Sequence, residues 1–205
     1  MTLMNILLVD DHALFAKSLE IALNDYLEIE SFQSTQNTNS LVDLIHAKHI
    51  DIVLMDINLG KLSNTDGLTL AAELLKLNQK IKIVILTGYD LPVYRFEAKK
   101  MGVSGFLNKN IEPDNLVASL LLRHHGGHYF PTDNKSVFIE ELTDTEKQIL
   151  QLLCNGEKRK DIAKELLISE RTLSNHLQHL FEKLDVSSAL GAITKGIQLG
   201  YIAAY

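Results

Sequence analysis

The segment ILLVDD, Ile6–Asp11, decides the fold: four aliphatic residues in unbroken succession run straight into two acids. A short continuous apolar run, with no polar alternation, suits a strand buried on both faces. Similar continuous runs recur at Ile52–Met55 and Ile83–Leu86, with further runs at Val103–Leu107 and, weaker, Ile29–Phe32. Amphipathic stretches at helical period separate and follow them, over Ala13–Leu23, Ser40–Lys48, Gly67–Leu77, Pro92–Met101 and Pro113–Arg123. Strands alternating with helices predict an α/β domain with a doubly wound, parallel, five-stranded sheet and right-handed crossovers. Pro113 suits the first turn of its helix, where a missing N–H costs nothing.

Working outward, the pattern breaks at HHGGHYFPTDNKSVFIEE, residues 124–141, which has no sustained period and reads as a linker. Its histidines, His124, His125 and His128, lack a carboxylate or cysteine framework and read as polar residues at a helix end. From Leu142 the period is helical throughout. Thr143-Asp144-Thr145-Glu146 has the form of a capping box, in which Thr and Glu each satisfy a backbone N–H. The helix it starts stops near Asn155-Gly156. Further helices are predicted over about Lys158–Leu166, from the cap Ser169 to Leu184, and over Leu190–Leu199. The expected boundaries are therefore 1–124 for the α/β domain, 125–140 for the linker and 141–205 for a smaller all-α domain.

Bulk properties narrow the class. The chain has 205 residues, enough for two small domains, and its single cysteine, Cys154, excludes an intrachain disulfide and a cysteine metal cluster. No apolar run approaches the ~20 residues that span a bilayer. The N-terminus lacks the basic region and cleavage site of a signal peptide. The expected location is the cytoplasm, without membrane contact. The net charge is −6, and residues 140–205 carry eight Lys/Arg against ten Asp/Glu. Charge alone gives no support to nucleic-acid binding.

In a doubly wound sheet, all strand C-termini lie along one edge, where ligands bind. Asp10 and Asp11 follow the first strand, Asp56 the third, Thr87 the fourth, and Lys109 ends the fifth. Topology alone therefore predicts that these groups converge. Clustered carboxylates repel unless a cation joins them, and hard oxygen ligands suit Mg²⁺. A carboxylate can also act as a nucleophile and form an aspartyl-phosphate. Gly88, beside Thr87, leaves room for a phosphoryl group.

The stretches LLVDDH, VLMDINL, VILTGY and GFLNKN resemble the signatures of receiver domains of bacterial response regulators, over about residues 3–124. The resemblance implies a flavodoxin-like fold in which Asp56 accepts a phosphoryl group from a sensor histidine kinase. It implies that Mg²⁺ is bound directly by Asp11, Asp56 and the main-chain carbonyl of Asn58, with Asp10 acting through water. Thr87 and Lys109 would hold phosphoryl oxygens, Phe106 would be the switch aromatic, and Asn58 and Tyr89 would tune the lifetime of the acyl phosphate. Two departures stand out: Gly60 replaces the usual proline, and Asp66-Gly67 comes three residues late, so the loop after Asp56 is longer.

Within Ser169–Leu184, Leu173, Leu177, Leu180 and Leu184 form one apolar stripe, while Arg171, Ser174, Asn175, Gln178 and Glu182 form a polar one. A helix, a short Leu167-Ile168 turn and a helix with a hydrogen-bonding face describe a helix-turn-helix. Residues 142–192 resemble the LuxR-type domain of NarL/FixJ regulators, matching at Thr143, Glu146, Gly156, Ile162-Ala163, Ile168-Ser169, Thr172, His176 and Lys183-Leu184. Ser174 and Ala189 stand where that family usually has basic residues. The two resemblances together imply a transcriptional regulator, not an enzyme, that binds double-stranded promoter DNA as a homodimer when phosphorylated. Ser174, Asn175 and Gln178 are placed to read base edges, with Arg171, Thr172 and Lys158 on phosphates. Two alternatives stay open at this stage. One is a Mg²⁺-dependent phosphohydrolase, although Asp56-Ile57-Asn58 lacks the second acid of its usual motif. The other is a regulator whose acidic C-terminal module contacts a protein.

Overall fold

The computed structural model describes residues 3–60, 66–77, 81–127, 130 and 140–202. Of the expected linker, residues 128–129 (His128 among them) and 131–139 lie outside the described residues, as do residues 61–65 of the longer loop. The chain divides into two compact units, and the described residues of the second are 91–93 and 140–202.

In the first unit five strands alternate with five helices: β1 Met4–Val9, α1 Ala13–Leu23, β2 Ile29–Thr35, α2 Leu41–Ala47, β3 Ile52–Met55, α3 Gly67–Leu77, β4 Lys82–Thr87, α4 Pro92–Met101, β5 Gly105–Asn108 and α5 Pro113–His124. The sheet order is β2-β1-β3-β4-β5, and every pairing is parallel. The unbroken apolar runs are explained by burial on both faces: Ile6–Val9, Ile52–Met55 and Ile83–Leu86 are all fully buried. Alternate strand residues serve separate cores. Leu7, Val53 and Ile83 pack towards α2 and α3, whereas Ile6, Leu54 and Val84 pack towards α1 and α5. β2, at the sheet edge, is only partly buried and runs to Thr35, three residues past its apolar core. That is why its hydrophobic signal is the weakest of the five.

The second unit contains α6 Asp144–Cys154, α7 Arg159–Glu165, α8 Glu170–Leu184 and α9 Ala189–Leu199. The capping box at α6 is complete: Glu146 N–H donates to Thr143 Oγ1 at 3.3 Å, and Thr143 N–H donates to Glu146 Oε2 at 2.8 Å. Lys183 Nζ also reaches Glu146 Oε2, at 2.8 Å, tying α8 to the start of α6. Burial raises the Glu146 pKa, but the bonds from Lys183 and Thr143 outweigh it and hold the carboxyl below its ordinary range. Ser169 caps α8 by accepting from Thr172 N–H at 3.0 Å. Leu173, Leu177, Leu180 and Leu184 all face a core shared with Ile149, Leu150 and Ile162. Among the described residues, no helix is long and apolar enough to cross a membrane.

Candidate functional site

Parallel pairing brings the strand ends together. Asp10 N–H donates to Thr35 O, Asp56 N–H to Val9 O, and Lys109 N–H to Thr87 O, so each chemically active residue follows a neighbour's last rung. Asp10 and Asp56 are each only 2% exposed and Thr87 is fully buried, polar groups held inside the sheet edge. Lys109 Nζ bridges the two acids, 2.7 Å from Asp10 Oδ2 and 2.8 Å from Asp56 Oδ2. Only the contact to Asp56 has the geometry of a hydrogen bond by position and angle. Burial lowers the Lys109 pKa, but the bonds and fields of Asp10 and Asp56 more than reverse this, and the ammonium is held above its usual range. Its Nζ also lies 4.7 Å from the centroid of the Phe15 ring, which walls the site.

The remaining oxygen is the informative one. Asp56 Oδ1 is buried and has no hydrogen-bond partner, a costly state for a carboxylate oxygen unless another group joins it. Ligand atoms of Asp10, Asp11, His12 and Asp56 all lie within 4.8 Å of one another. Three carboxylates and a buried orphan oxygen fit the oxygen-rich surroundings of a hard divalent cation.

Of the other expected site residues, Thr87 stands at the neighbouring strand end, its Oγ1 accepting from Tyr89 N–H at 3.2 Å. Asn58 lies in the exposed loop beyond Asp56, and its Oδ1 accepts from Gly60 N–H at 3.1 Å. Phe106 is fully buried in the core beneath the edge, beside Met55 and Ile85 in the same cluster. Tyr89 is half exposed.

Two further residues of the site were not singled out for it by sequence reasoning. His12 has its Nδ1 2.6 Å from Asp11 Oδ1 and 3.2 Å from Asp10 Oδ1; its place directly after the two acids was the available signal. Gly60 presses its backbone on Asp11. At φ +51°, a Cβ there would lie 2.1 Å from Asp11 Oδ2. At this left-handed φ proline cannot stand and glycine is favoured, and any Cβ would require the Asp11 carboxylate to turn aside.

In the second unit, Arg171, Thr172, Ser174, Asn175 and Gln178 all lie exposed on α8, and Lys158 is exposed at the N-cap of α7. The face is partly engaged with itself. Ser174 Oγ donates to Glu170 O at 2.9 Å, Thr172 Oγ1 meets Ser169 Oγ at 2.8 Å, and Gln178 Nε2 donates to Glu182 Oε1 at 2.9 Å. Glu182 is therefore a member of this face that acts through Gln178, at the i+4 spacing of helix neighbours. Ser174, Gln178, Phe181 and Val186 line a shallow groove of about 710 Å³ on this side of the unit.

Comparison with known proteins agrees with both halves. Residues 6–121 match the family described as the response regulator receiver domain, and residues 140–195 match bacterial regulatory proteins of the luxR family. The chain is 32% identical to the transcriptional regulatory protein DesR of Bacillus subtilis (strain 168), with 97% of this chain and 99% of that one covered. It is 25% identical to DegU of Brevibacillus brevis, over 96% and 94% of the two chains. Among solved structures, the response regulator ChrA of a heme-sensing two-component system is 26% identical and has a TM-score of 0.52, with 98% and 100% covered. RcsB of Salmonella enterica serovar Typhimurium, solved on a promoter with a phosphomimetic, shares the fold at TM-score 0.67 and 19% identity, with 94% and 97% covered. These matches remove the hydrolase alternative, since the family regulates transcription and is not enzymatic. With a receiver fold ending in an acidic edge and a luxR-family helix-turn-helix behind it, this chain belongs to the two-component response regulators of the NarL/FixJ type, DNA-binding regulators of transcription.

Proposed function

We propose that the protein is a phosphorylation-activated transcriptional regulator of the cytoplasm, in which Asp56 accepts a phosphoryl group from a sensor histidine kinase. The observation that carries this reading is the unpartnered, buried Asp56 Oδ1 beside an ammonium that already holds the other oxygen. In the transfer, a carboxylate oxygen of Asp56 forms a bond to phosphorus while the P–N bond to the donor imidazole breaks. Lys109 and Thr87 would receive the phosphoryl oxygens, with Lys109 leaving its bridge to Asp10 to do so. The donor set fits Mg²⁺, which Asp11, Asp56 and the main chain of Asn58 would hold, with Asp10 contributing through water. When bound, the ion offsets the charge that gathers between carboxylate and phosphoryl group. Phe106 is the aromatic that would change rotamer when Thr87 moves towards the phosphoryl group.

The output is promoter DNA binding by a homodimer. A helix-turn-helix reads paired half-sites, and dimerisation doubles the phosphate contacts of a domain with few cations. On α8, Ser174, Asn175 and Gln178 would read base edges, with Arg171, Thr172 and Lys158 on phosphates. The assigned boundaries are 1–124 for the receiver, 125–140 for the linker and 141–205 for the DNA-binding domain. Labelling by a phosphohistidine donor tests the acceptor: Asp56→Asn abolishes it, and a stable phosphate mapped to another residue of the wild type would refute the assignment. Sedimentation with and without a phosphoryl mimic tests the dimer. An unchanged monomer that binds a single half-site tightly would oppose it.

A further inference from the structure

The acidic edge contains a donor that an all-oxygen cation site does not use. His12 follows Asp10 and Asp11 and is the N-cap of α1, with no side-chain capping bond of its own. Its backbone N–H donates to Asp10 Oδ1 at 2.9 Å, which fixes the start of the residue against the buried acid. The ring turns inward from there, and Nδ1 stands 2.6 Å from Asp11 Oδ1. The side chain is 60% exposed, so the imidazole lies on the solvent side of the cluster. Opposite it, Lys109 occupies the Oδ2 atoms of Asp10 and Asp56 and leaves Asp56 Oδ1 buried and unpartnered. The open corner of the site is thus bounded by two kinds of donor: carboxylate oxygen and imidazole nitrogen.

These donors discriminate among cations. Mg²⁺ prefers oxygen, gives up its waters reluctantly and gains little from an imidazole. Co²⁺ and Zn²⁺ take imidazole nitrogen readily, and such sites hold them more tightly as nitrogen replaces oxygen. We infer that His12 is a fourth donor of this site, so that the acidic cluster binds a first-row transition cation of the Co²⁺ or Zn²⁺ class through its imidazole, in addition to Mg²⁺ through oxygens alone. The inference rests on the reading of Asp11 and Asp56 as cation ligands.

The test is titration of the full chain with Co²⁺, read by its visible absorption band, which responds to nitrogen donors, and with Mg²⁺ by competition. In His12→Ala the Co²⁺ dissociation constant should rise at least about tenfold, the low end of what loss of even an outer-shell partner costs. The Mg²⁺ constant should move less than twofold. His12→Asn, which keeps a good helix cap, should behave like His12→Ala and separates ligation from capping. Unchanged Co²⁺ affinity in both variants, or an equal loss for both cations, overturns the role of His12. Asp11→Asn is the control for the underlying site and should weaken both cations. If it weakens neither, the cation site itself is wrong, whatever His12 does.

Discussion

Lys109→Met isolates the charge that holds the acidic edge together in the absence of a cation. Methionine keeps most of the apolar stem and removes the ammonium, together with its contact to the Phe15 ring. The side chains of Asp10 and Asp56 are 0% and 3% exposed and share that ammonium; Asp10 also accepts from His12 N–H, so Asp56 is the more dependent on it. Breaking a buried ion pair from one side costs ~3–5 kcal/mol, because a charge is left uncompensated. Lys109 is 14% exposed and the site opens to solvent, which lowers the expected loss to about 2–4 kcal/mol. The pH dependence follows from the raised Lys109 pKa. Its contribution is fully present below the unfolded lysine value and is lost only as pH rises through the folded one, so wild type keeps it at neutrality. Mg²⁺ should repair the variant. At ~100 times the dissociation constant, a ligand that binds only the native state adds about 2.7 kcal/mol. In the variant no ammonium competes for the same oxygens, so the gain should exceed that of wild type by at least about 1 kcal/mol. The chain has no tryptophan and two units, so a single unfolding curve would mix them. Amide hydrogen exchange in β1 and β3, with and without Mg²⁺, reads the receiver alone. A deficit below about 0.5 kcal/mol, typical of a surface change, or one that Mg²⁺ does not narrow, would refute the reasoning.

Four other substitutions test three separate parts of the molecule. Lys183→Met should cost about 2–3 kcal/mol in exchange from α6 and α8, less than the full buried-pair value because Glu146 keeps its bonds to Thr143. The Glu146 pKa is depressed, so its contribution is present above the unfolded carboxyl value and lost as pH falls through the folded one; the variant's deficit should shrink on acidification below about pH 4. Gly60→Ala should weaken Mg²⁺ binding without preventing folding, because the added methyl lies 2.1 Å from Asp11 Oδ2 at a left-handed position; unchanged affinity by titration would place the loop away from the acids. Gln178→Ala should weaken a specific site by about 1–3 kcal/mol while sparing random DNA. Lys158→Ala should weaken both alike, and equal behaviour of the two variants in gel-shift titrations would mean α8 is not the reading face.

Much of the fold was legible because burial on two faces leaves a direct trace. Ile52–Met55, Ala13–Leu23, Gly67–Leu77 and Pro92–Met101 end where their patterns end. The strand seen least clearly, β2, is an edge strand whose residues are half-buried or exposed and mix polar with apolar, whereas β5, at the other edge, stays mostly buried. The gathering of Asp10, Asp56 and Lys109 was also legible, since parallel strands must deliver their C-termini to one edge. Gly60 was visible only as a missing proline. Its reason, a backbone pressed on Asp11, depends on the path of a loop that no periodicity describes.

The helix face shows a second limit. The 3.6-residue period separates Leu173 and Leu177 from Ser174 and Gln178 without difficulty, yet it does not say which polar atoms remain available. A carboxylate can only accept, so the end of the Gln178 amide that faces Glu182 must be its NH₂ group. One of its two N–H bonds is thereby committed, and Oε1 is left as an acceptor. Ser174 Oγ has likewise given its hydrogen to Glu170 O and retains only acceptor capacity. At Ser174 and Gln178 the face is, in its resting arrangement, weighted towards acceptance, while Asn175 keeps both kinds of group. Such a face favours the exocyclic amino groups of adenine and cytosine in the major groove over the acceptor pair of guanine. The absence of a basic residue at position 174 works in the same direction, because the contact to guanine is the one that arginine and lysine usually supply. On the proposed reading of α8 as the base-contacting helix, base preference would follow in part from two short-range side-chain bonds within it, each at the four-residue spacing that the helix itself imposes.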